Sequence, residues 1–366
     1  MAGVLNSRLI RIYLIPGAVF QSVMVGGGYG TGREIVEYFT SFGITGGLLA
    51  MSISFAILAV VLGLTFEIAR LFNAYDYRSF FKRLLGRGWV AFEVLIILQF
   101  LLVLAVLASA AGNILRDEFG MPYGVGLVVM LAVVGLLTFF GRELIAKALT
   151  FWSLLLYATF IAFFVQVFSS DWNSIAHALR DGQIISGWQQ SGFQYALYNL
   201  AVAPLLLFTA REFTSRRETF RSGAIAAAIA IVPALIFHLS FFAAYPAVLE
   251  QAIPVYWMMG SMGMTTLVIV YSVMLFGTFI ETGAGMLQGI NDRIDVWLVE
   301  KRGSGASRSA HATLAVCAIA VSALLSLVGI TALIAKGYGT MAWGILVVYV
   351  IPLMTIGVSH IIRTKR

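Results

Sequence analysis

The chain has 366 residues, of which 60% are hydrophobic and only 11% are charged, and its mean hydropathy is +0.93. This composition is typical of a polytopic membrane protein and excludes a soluble domain. The formal charge of +7 does not indicate a nucleic-acid-binding protein, because the basic residues recur at alternate connections instead of forming one patch. No charged segment with a short apolar core and a small-residue cleavage site opens the chain, so we expect no cleaved signal peptide.

Apolar segments recur along the whole chain. A window of about 19 residues finds roughly ten of them, each near the length of about 20 residues that a bilayer-spanning helix needs. We number them spans one to ten, and their predicted cores are Ile12–Phe39, Leu48–Leu71, Trp89–Ala111, Tyr123–Phe140, Leu144–Phe168, Trp188–Ala210, Ala224–Ala244, Thr265–Gly289, Thr313–Leu333 and Met341–Ile362. The sequence therefore predicts an all-α membrane protein with about ten transmembrane helices.

Span one is interrupted by glycines. Five of the seven residues from Gly26 to Gly32 are glycine, and each costs about 1 kcal/mol relative to Ala inside a helix. Non-helical backbone is tolerated in hydrocarbon only where it is buried in protein or lines a polar cavity. The break therefore predicts a binding site, at which freed amide and carbonyl groups hold an anionic group and a cation.

Polar residues follow the glycines in the second half of span one. Glu34 lies three residues after Thr31, on the same helical face, and we expect it to reach the cavity. Glu37 is expected to be solvated. For Arg33 two interpretations stay open: it clamps a substrate carboxylate or forms an outer gate, or it makes a surface ion pair with Glu34 or Glu37.

The basic residues predict the orientation of the chain in the membrane. If the N-terminus is cytoplasmic, all 24 Lys and Arg except Arg33, Arg116, Arg180 and Lys336 fall on the cytoplasmic side. This bias follows the positive-inside rule and predicts cytoplasmic N- and C-termini in a cytoplasmic (inner) membrane. The polar segment 169–187 is then an extracytoplasmic connection, with a short amphipathic helix.

Span six contains a second predicted interruption. Pro204 lacks a backbone N–H and disfavours helix at Ala203, so the hydrogen-bond ladder is predicted to open between Asn199 and Ala203. Residues 8–168 and 188–362 then form two five-helix repeats. Because five is odd, the two repeats insert with opposite orientations, which is the inverted-repeat architecture of secondary transporters.

Aromatic side chains lie beside both interruptions. Tyr29, Tyr195 and Tyr198 can form the wall of a small pocket or a cation–π surface for an ammonium group, although membrane aromatics also pack in cores and interfaces. Asn199 supplies an amide at the second break. The predicted substrate-binding residues are Gly26, Gly28, Tyr29, Gly30, Thr31, Glu34, Tyr195, Tyr198, Asn199 and Ala201.

Glu281 in span eight is the most conspicuous charge within a predicted membrane helix. A charged side chain at a helix centre costs about +2.5 to +3.5 kcal/mol on insertion scales, so it usually faces a cavity, a partner or an ion path. Cation coordination, proton carriage and a hydrogen-bonded carboxyl in a helix interface all remain open. The predicted ligands of a sodium ion are Thr278, Glu281, Thr282 and the backbone carbonyls of Met24 and Gly27.

These features resemble a known family. The chain resembles the LeuT-type fold of the amino acid–polyamine–organocation superfamily in its glycine-broken span one, its broken span six and its ten spans with both ends inside. Within that superfamily, the YkvI-like branch of permeases is particularly similar to the string Gly28-Tyr29-Gly30-Thr31-Gly32-Arg33-Glu34. Glu67 near the end of span two looks like an acidic residue that many members carry. The string Thr278-Phe279-Ile280-Glu281-Thr282 is similar to the sodium-ligand pattern of the family, with Glu281 in place of the usual first hydroxyl.

The resemblance implies a function. It implies uptake of an amino acid or related small amine by alternating access, coupled to a cation, with Na+ preferred over H+. It also implies that spans one, two, six and seven rock against spans three, four, eight and nine. The expected partners are the small-molecule substrate and membrane lipid, and no organic cofactor is expected.

The residues also bear on a proton-coupled exchanger and on two other classes of protein, an ion channel and an enzyme. Gly28-Tyr29-Gly30 is similar to a potassium-channel filter, so an ion channel is one alternative, and a proton-coupled exchanger is another. A channel filter needs Thr-Val before it and a re-entrant loop between two helices. Here Gly26-Gly27 precede the tripeptide. An enzyme is not expected, because the chain has no HExxH motif and no nucleophile elbow, and its four histidines occupy unrelated positions.

Overall fold

The structure is a computed structural model that describes residues 7–140 and 142–363, with side chains described except at residues 27, 118–119, 137, 139–140, 142–154 and 308. Every element within these residues is a helix. Seven of the described helices are long and apolar enough to cross a membrane. The count is eight if Leu155–Ser170 and Trp172–Asp181 form one bent span, since these two helices meet at 76°. Two shorter apolar helices, Ile10–Met24 and Tyr123–Leu136, coincide with predicted spans one and four. The predicted all-α polytopic membrane protein is confirmed.

Each predicted span coincides with a helix or with a series of helices. Span one comprises Ile15–Met24, Gly27–Thr31 and Arg33–Tyr38, which we call its first, middle and last helices. The remaining spans are Ile44–Phe72, Trp89–Phe119, Tyr123–Phe140, Arg142–Ser170, Trp188–Asn199 with Leu200–Glu212, Arg216–Phe241, Thr265–Arg302, Arg308–Ser326, and the series from Ile330 to Arg363. The segment 169–187, predicted to carry a short helix, contains the helix Trp172–Asp181.

The predicted boundary between spans nine and ten is wrong. The sequence placed it after Leu333, whereas span nine ends at Ser326 and the next helix begins at Ile330. Gly329, with φ of +91°, supplies a backbone conformation that other residues rarely adopt and reverses the chain earlier than hydropathy indicated. The stretch Leu333–Tyr338, which the predicted cores place at the end of span nine and between the two cores, is instead a π-helical part of span ten.

Span six changes helix type where the sequence predicted an interruption. Its α-helix ends at Asn199, and the 13 residues Leu200–Glu212, which include Pro204, form a tighter 3-10 helix. Such helices rarely extend beyond three or four residues. The discontinuity is therefore a change of hydrogen-bond pattern rather than an extended segment.

The spans pack in two groups. In the first group, span two packs along spans six and seven, and the first helix of span one packs on span seven and on Leu200–Glu212. A Cβ added at Gly223 of span seven would lie 2.5 Å from the backbone nitrogen of Gly63 in span two, so these two helices are in backbone contact. In the second group, span three packs on spans four, eight and nine.

Ion pairs at the end of the molecule that holds most of the basic residues, which we call the basic end, join elements within each group. Arg8 pairs with Glu218 of span seven at 2.8 Å. In the second group, Arg293 of span eight pairs with Glu93 of span three at 3.0 Å. At the same end, Arg78 and Lys82, in the helix Tyr77–Leu85 between spans two and three, pair with Glu300 of span eight at 2.6 and 3.6 Å.

Candidate substrate and ion site

The glycine segment divides span one into three helices. The first helix ends at Met24, and Gly26 is extended, with φ of −62° and ψ of 163°. Gly32 then takes a left-handed conformation, with φ of +81°, between the middle and last helices. A Cβ at Gly32 would also lie 2.7 Å from the ring of Phe241, so both backbone conformation and space require glycine here. The predicted break in span one is confirmed.

Glu34 lies at the centre of this break. Its side chain is buried, with 3% of the residue exposed, and its carboxylate accepts a hydrogen bond from the hydroxyl of Tyr198 in span six. The carboxylate turns back over the middle helix, because a Cβ added at Gly28 would lie 2.5 Å from Oε1 of Glu34. Among the described residues no ion pair includes Glu34. The break therefore contains a buried acidic group for which the described side chains supply no cationic partner.

Tyrosine rings surround this carboxylate. The rings of Tyr198 and Tyr338 are stacked with centroids 4.8 Å apart, and Tyr38 and Tyr195 lie 5.4 and 5.5 Å from Tyr198. Tyr338 belongs to the π-helical part of span ten, in which the carbonyl of Ile334 accepts a hydrogen bond from the hydroxyl of Tyr38 at 3.1 Å. The sequence did not predict Tyr38 or Tyr338 as site residues, because their proximity depends on how span ten packs on span one.

A cavity extends from Glu34 between the two groups of spans. About 40 Å³ of it is open to the centres of water molecules. Among its described lining residues Glu34 is the only charged side chain. The residues that line it are Val23, Met24, Gly26, Glu34, Gln99, Phe100, Val103, Tyr198, Asn199, Val202, Thr282, Met286 and Tyr338.

Six other residues predicted to bind substrate surround the break without lining this cavity. The carbonyl of Gly30 accepts a 2.7 Å hydrogen bond from the hydroxyl of Tyr271, and the hydroxyl of Thr31 donates to the carbonyl of Gly28 at 2.6 Å. The hydroxyls of Tyr29 and Tyr195 are buried and have no hydrogen-bond partner among the described residues. Ala201 is buried at the start of the 3-10 helix. These residues support the walls of the site.

The residues predicted to bind sodium are only partly brought together. Thr282 contacts the break, since a Cβ at Gly26 would lie 3.1 Å from its hydroxyl oxygen, and it lines the cavity with Met24. Gly27 begins the middle helix. The hydroxyl of Thr278 instead donates to the carbonyl of Met274 in its own helix, at 3.0 Å.

Glu281 lies apart from these ligands. It is half-buried on span eight and is not among the described residues that line the cavity. The orientation of span eight about its own axis explains the position of Glu281. Gly283 faces the second group, where its Cβ would lie 2.9 Å from Val134, and successive residues of an α-helix are 100° apart. Thr282, rather than Glu281, is therefore directed at span one.

Arg33 does not point at the cavity. Its guanidinium donates to the carbonyls of Leu249 and Gln251, at 2.7 and 3.0 Å, and pairs with Glu37 at 2.9 Å. Leu249 and Gln251 belong to the connection between spans seven and eight. Arg33 thus ties the last helix of span one to this connection.

Two buried polar residues, His238 and Gln99, differ in their hydrogen bonding. His238 is fully buried, and both of its ring nitrogens have partners, Thr40 at 3.2 Å and the carbonyl of Ile44 at 2.9 Å. Gln99 lines the cavity, and its Oε1 has no hydrogen-bond partner in the described part of the chain. His238 is therefore a packing residue, and Gln99 offers an unused acceptor to a ligand.

Solved structures of other proteins share this fold. A substrate-bound, outward-open Na+-coupled sialic acid symporter aligns with a TM-score of 0.57 and 13% identity, over 93% of this chain and 78% of that chain. The inward-facing conformation of Mhp1 aligns with a TM-score of 0.54 and 16% identity, over 91% of this chain and 75% of that chain. The chain therefore is an all-α polytopic membrane protein with the predicted LeuT-type fold.

The sequence comparison gives one relative. The chain is 24% identical over 299 residues to the uncharacterized membrane protein YkvI of Bacillus subtilis (strain 168), which covers 77% of this chain and 81% of that protein. No protein-family model matches the chain.

Proposed function

We propose that this chain is a secondary active transporter of the YkvI-like branch, which takes up an amino acid or a related small amine by alternating access with a coupling cation. The observation that carries the proposal is Glu34, a buried carboxylate without a described cationic partner at a break in a membrane span. Irregular backbone and charge inside a membrane are retained where they serve a binding site or an ion path.

The position of the cavity supports alternating access. Its walls come from both groups of spans: Met24 and Val202 belong to the first group, and Phe100 and Met286 to the second. A site between two groups that move relative to each other is exposed to each side of the membrane in turn. We propose that the Arg33 contacts form the outer gate of this cycle.

We propose Na+ as the coupling ion, in preference to H+. The first helix of span one ends at Met24, where carbonyl groups lose their helical partners, and the hydroxyl of Thr282 lies beside Gly26. Oxygen ligands of this kind fit a hard cation. The carbonyls of Met24 and Gly27 with Thr282 would hold the ion, and Thr278 and Glu281 remain proposed members of the site on the sequence pattern.

Uptake by purified protein in proteoliposomes tests the proposal. We expect accumulation of at least one solute from an amino-acid and amine panel when an inward Na+ gradient is imposed. Thr282→Ala should raise the Na+ concentration for half-maximal uptake about tenfold, as expected for the loss of one neutral ligand. Thr313→Ala, whose hydroxyl donates to Ser309 on an exposed face of span nine, is the matched control and should behave like the wild type.

Other outcomes select the alternatives. Accumulation that follows a pH gradient and ignores Na+ would establish the proton-coupled exchanger. Ion currents that are insensitive to every organic solute would establish a channel. We propose an inner-membrane location with both termini cytoplasmic, which labelling of single cysteines introduced at each end of the chain tests directly.

A further inference from the structure

The cavity beside Glu34 has the chemistry of a site for a positively charged ligand. Among its described lining residues there is one carboxylate and no Lys or Arg. Gln99 is 5% exposed and lines the cavity, and its Oε1 has no hydrogen-bond partner among the described residues, which adds an acceptor to the site. The rings of Tyr198 and Tyr338, which stack on each other, also line the cavity and supply aromatic surface of the kind that binds ammonium groups. Acceptors and aromatic faces together favour an organic cation.

Among the described lining residues of the same cavity, none is a Lys or Arg that could pair with a carboxylate on the ligand. Arg33 is the basic residue nearest to Glu34 in the chain, and its guanidinium is bound to Leu249, Gln251 and Glu37. Gly28 belongs to the break whose freed amides the sequence predicted to hold an anionic group, and its backbone is already covered by Oε1 of Glu34. A second carboxylate would lie beside Glu34 in a medium of low dielectric constant, where like charges repel strongly.

We infer that the substrate is a small amine without a carboxylate, held by Glu34, Gln99 and the rings of Tyr198 and Tyr338. In this arrangement the carboxylate of the chain takes the place that the carboxylate of an amino acid would occupy. The inference rests on the proposed transport function and narrows its substrate class from amino acids and amines to amines.

Matched ligand pairs test the inference, because each pair differs only by the carboxylate: alanine and ethylamine, valine and isobutylamine, leucine and isopentylamine, phenylalanine and 2-phenylethylamine. Binding to the full chain in lipid nanodiscs is measured by calorimetry, and uptake by competition in proteoliposomes. We expect the amine of each pair that binds to do so at least about tenfold more tightly than its amino acid, the effect of a charge-assisted hydrogen bond.

Removal of the carboxylate of Glu34 should reverse this preference. Glu34→Ala is expected to weaken amine binding by about tenfold to a hundredfold and to leave space in which the carboxylate of the amino acid restores binding. Glu34→Gln, which keeps the shape of the side chain, replaces it if Glu34→Ala is not monodisperse. Asp181→Asn, on the exposed surface of the helix Trp172–Asp181, is the control for loss of a negative charge and should retain the wild-type preference.

The outcomes separate the two claims. Amino acids that bind the wild type as tightly as their amines, or amine binding that is unchanged in both Glu34 variants, would overturn the inference and leave transport intact. A wild-type protein that neither binds nor takes up any member of the panel would overturn the proposed function itself.

Discussion

Glu34 and Glu281 are both carboxylates within membrane-spanning helices, and the structure gives them opposite surroundings. Glu34 is buried at a helix break, accepts a hydrogen bond from Tyr198 and lines the cavity. Glu281 is half-buried in a continuous helix, and Gly285, one turn further along, has open space where a Cβ would be. A membrane carboxylate therefore indicates a binding site most strongly where the backbone is also interrupted and tertiary partners converge.

The largest difference is expected from adding one methyl group beside each carboxylate. In Gly28→Ala the new Cβ would lie 2.5 Å from Oε1 and 2.8 Å from Cγ of Glu34, so the carboxylate must move, and we expect substrate binding to fall by about a hundredfold. Gly285→Ala should leave binding unchanged and raise stability by up to about 1 kcal/mol, since Ala is the better helix former. Calorimetric binding and thermal unfolding in nanodiscs measure both effects.

If Gly28→Ala and Gly285→Ala lost substrate affinity to the same extent, the free space around the Glu34 carboxylate would not determine binding. Such a result would also contradict the position of its carboxylate over Gly28.

A smaller effect is expected from the hydroxyl group that binds Glu34. Tyr198→Phe removes the donor to the carboxylate and should weaken substrate binding about tenfold, because a hydrogen bond to a charged group contributes about 1.5–3 kcal/mol. Tyr195→Phe is the matched control: the two residues share a helix, and the hydroxyl of Tyr195 has no partner in the described structure. Substrate titrations that give both variants the same affinity would place the tyrosine–carboxylate bond outside the site.

The smallest effect is expected at the proposed outer gate, which the contacts of Arg33 form. Arg33→Gln loses the ion pair with Glu37 and weakens the contacts with Leu249 and Gln251, so the proposed gate should open more often. In a Cys317→Ser background, a cysteine at Gln190, which lines the depression at this gate, should react a few times faster with a membrane-impermeant thiol reagent. Arg116→Gln, an exposed residue, should leave the labelling rate at the wild-type value.

Local patterns were sufficient to predict the spans and the break in span one. Hydropathy locates helices because the bilayer fixes their length, and a dense run of glycines between Gly26 and Gly32 opposes helix formation. The boundary at Gly329 was missed because one left-handed glycine ended span nine within an apolar stretch that hydropathy treats as continuous.

The site required information that no local pattern contains. Glu34 was expected at the cavity on the assumption that Thr31 and Glu34 share one helix, yet Gly32 separates them, so the reason for that expectation was wrong. Tyr338 and Gln99 come from spans ten and three, and only tertiary packing brings them to the break. Thr278, Glu281 and Thr282 lie on one continuous helix, but only the packing of Gly283 shows which of them faces span one.

The most direct test of the account compares Glu34→Gln and Glu281→Gln in the same titrations of substrate and Na+, with the solute that the wild type binds most tightly. We expect Glu34→Gln to lose substrate affinity about tenfold to a hundredfold with its Na+ affinity retained. Glu281→Gln removes a member of the sodium site that is proposed from the sequence pattern alone, buries a neutral amide and keeps the fold. It should bind substrate normally without Na+ and lose the increase in affinity that Na+ gives the wild type. Substrate binding that survives Glu34→Gln and is lost in Glu281→Gln would contradict the account.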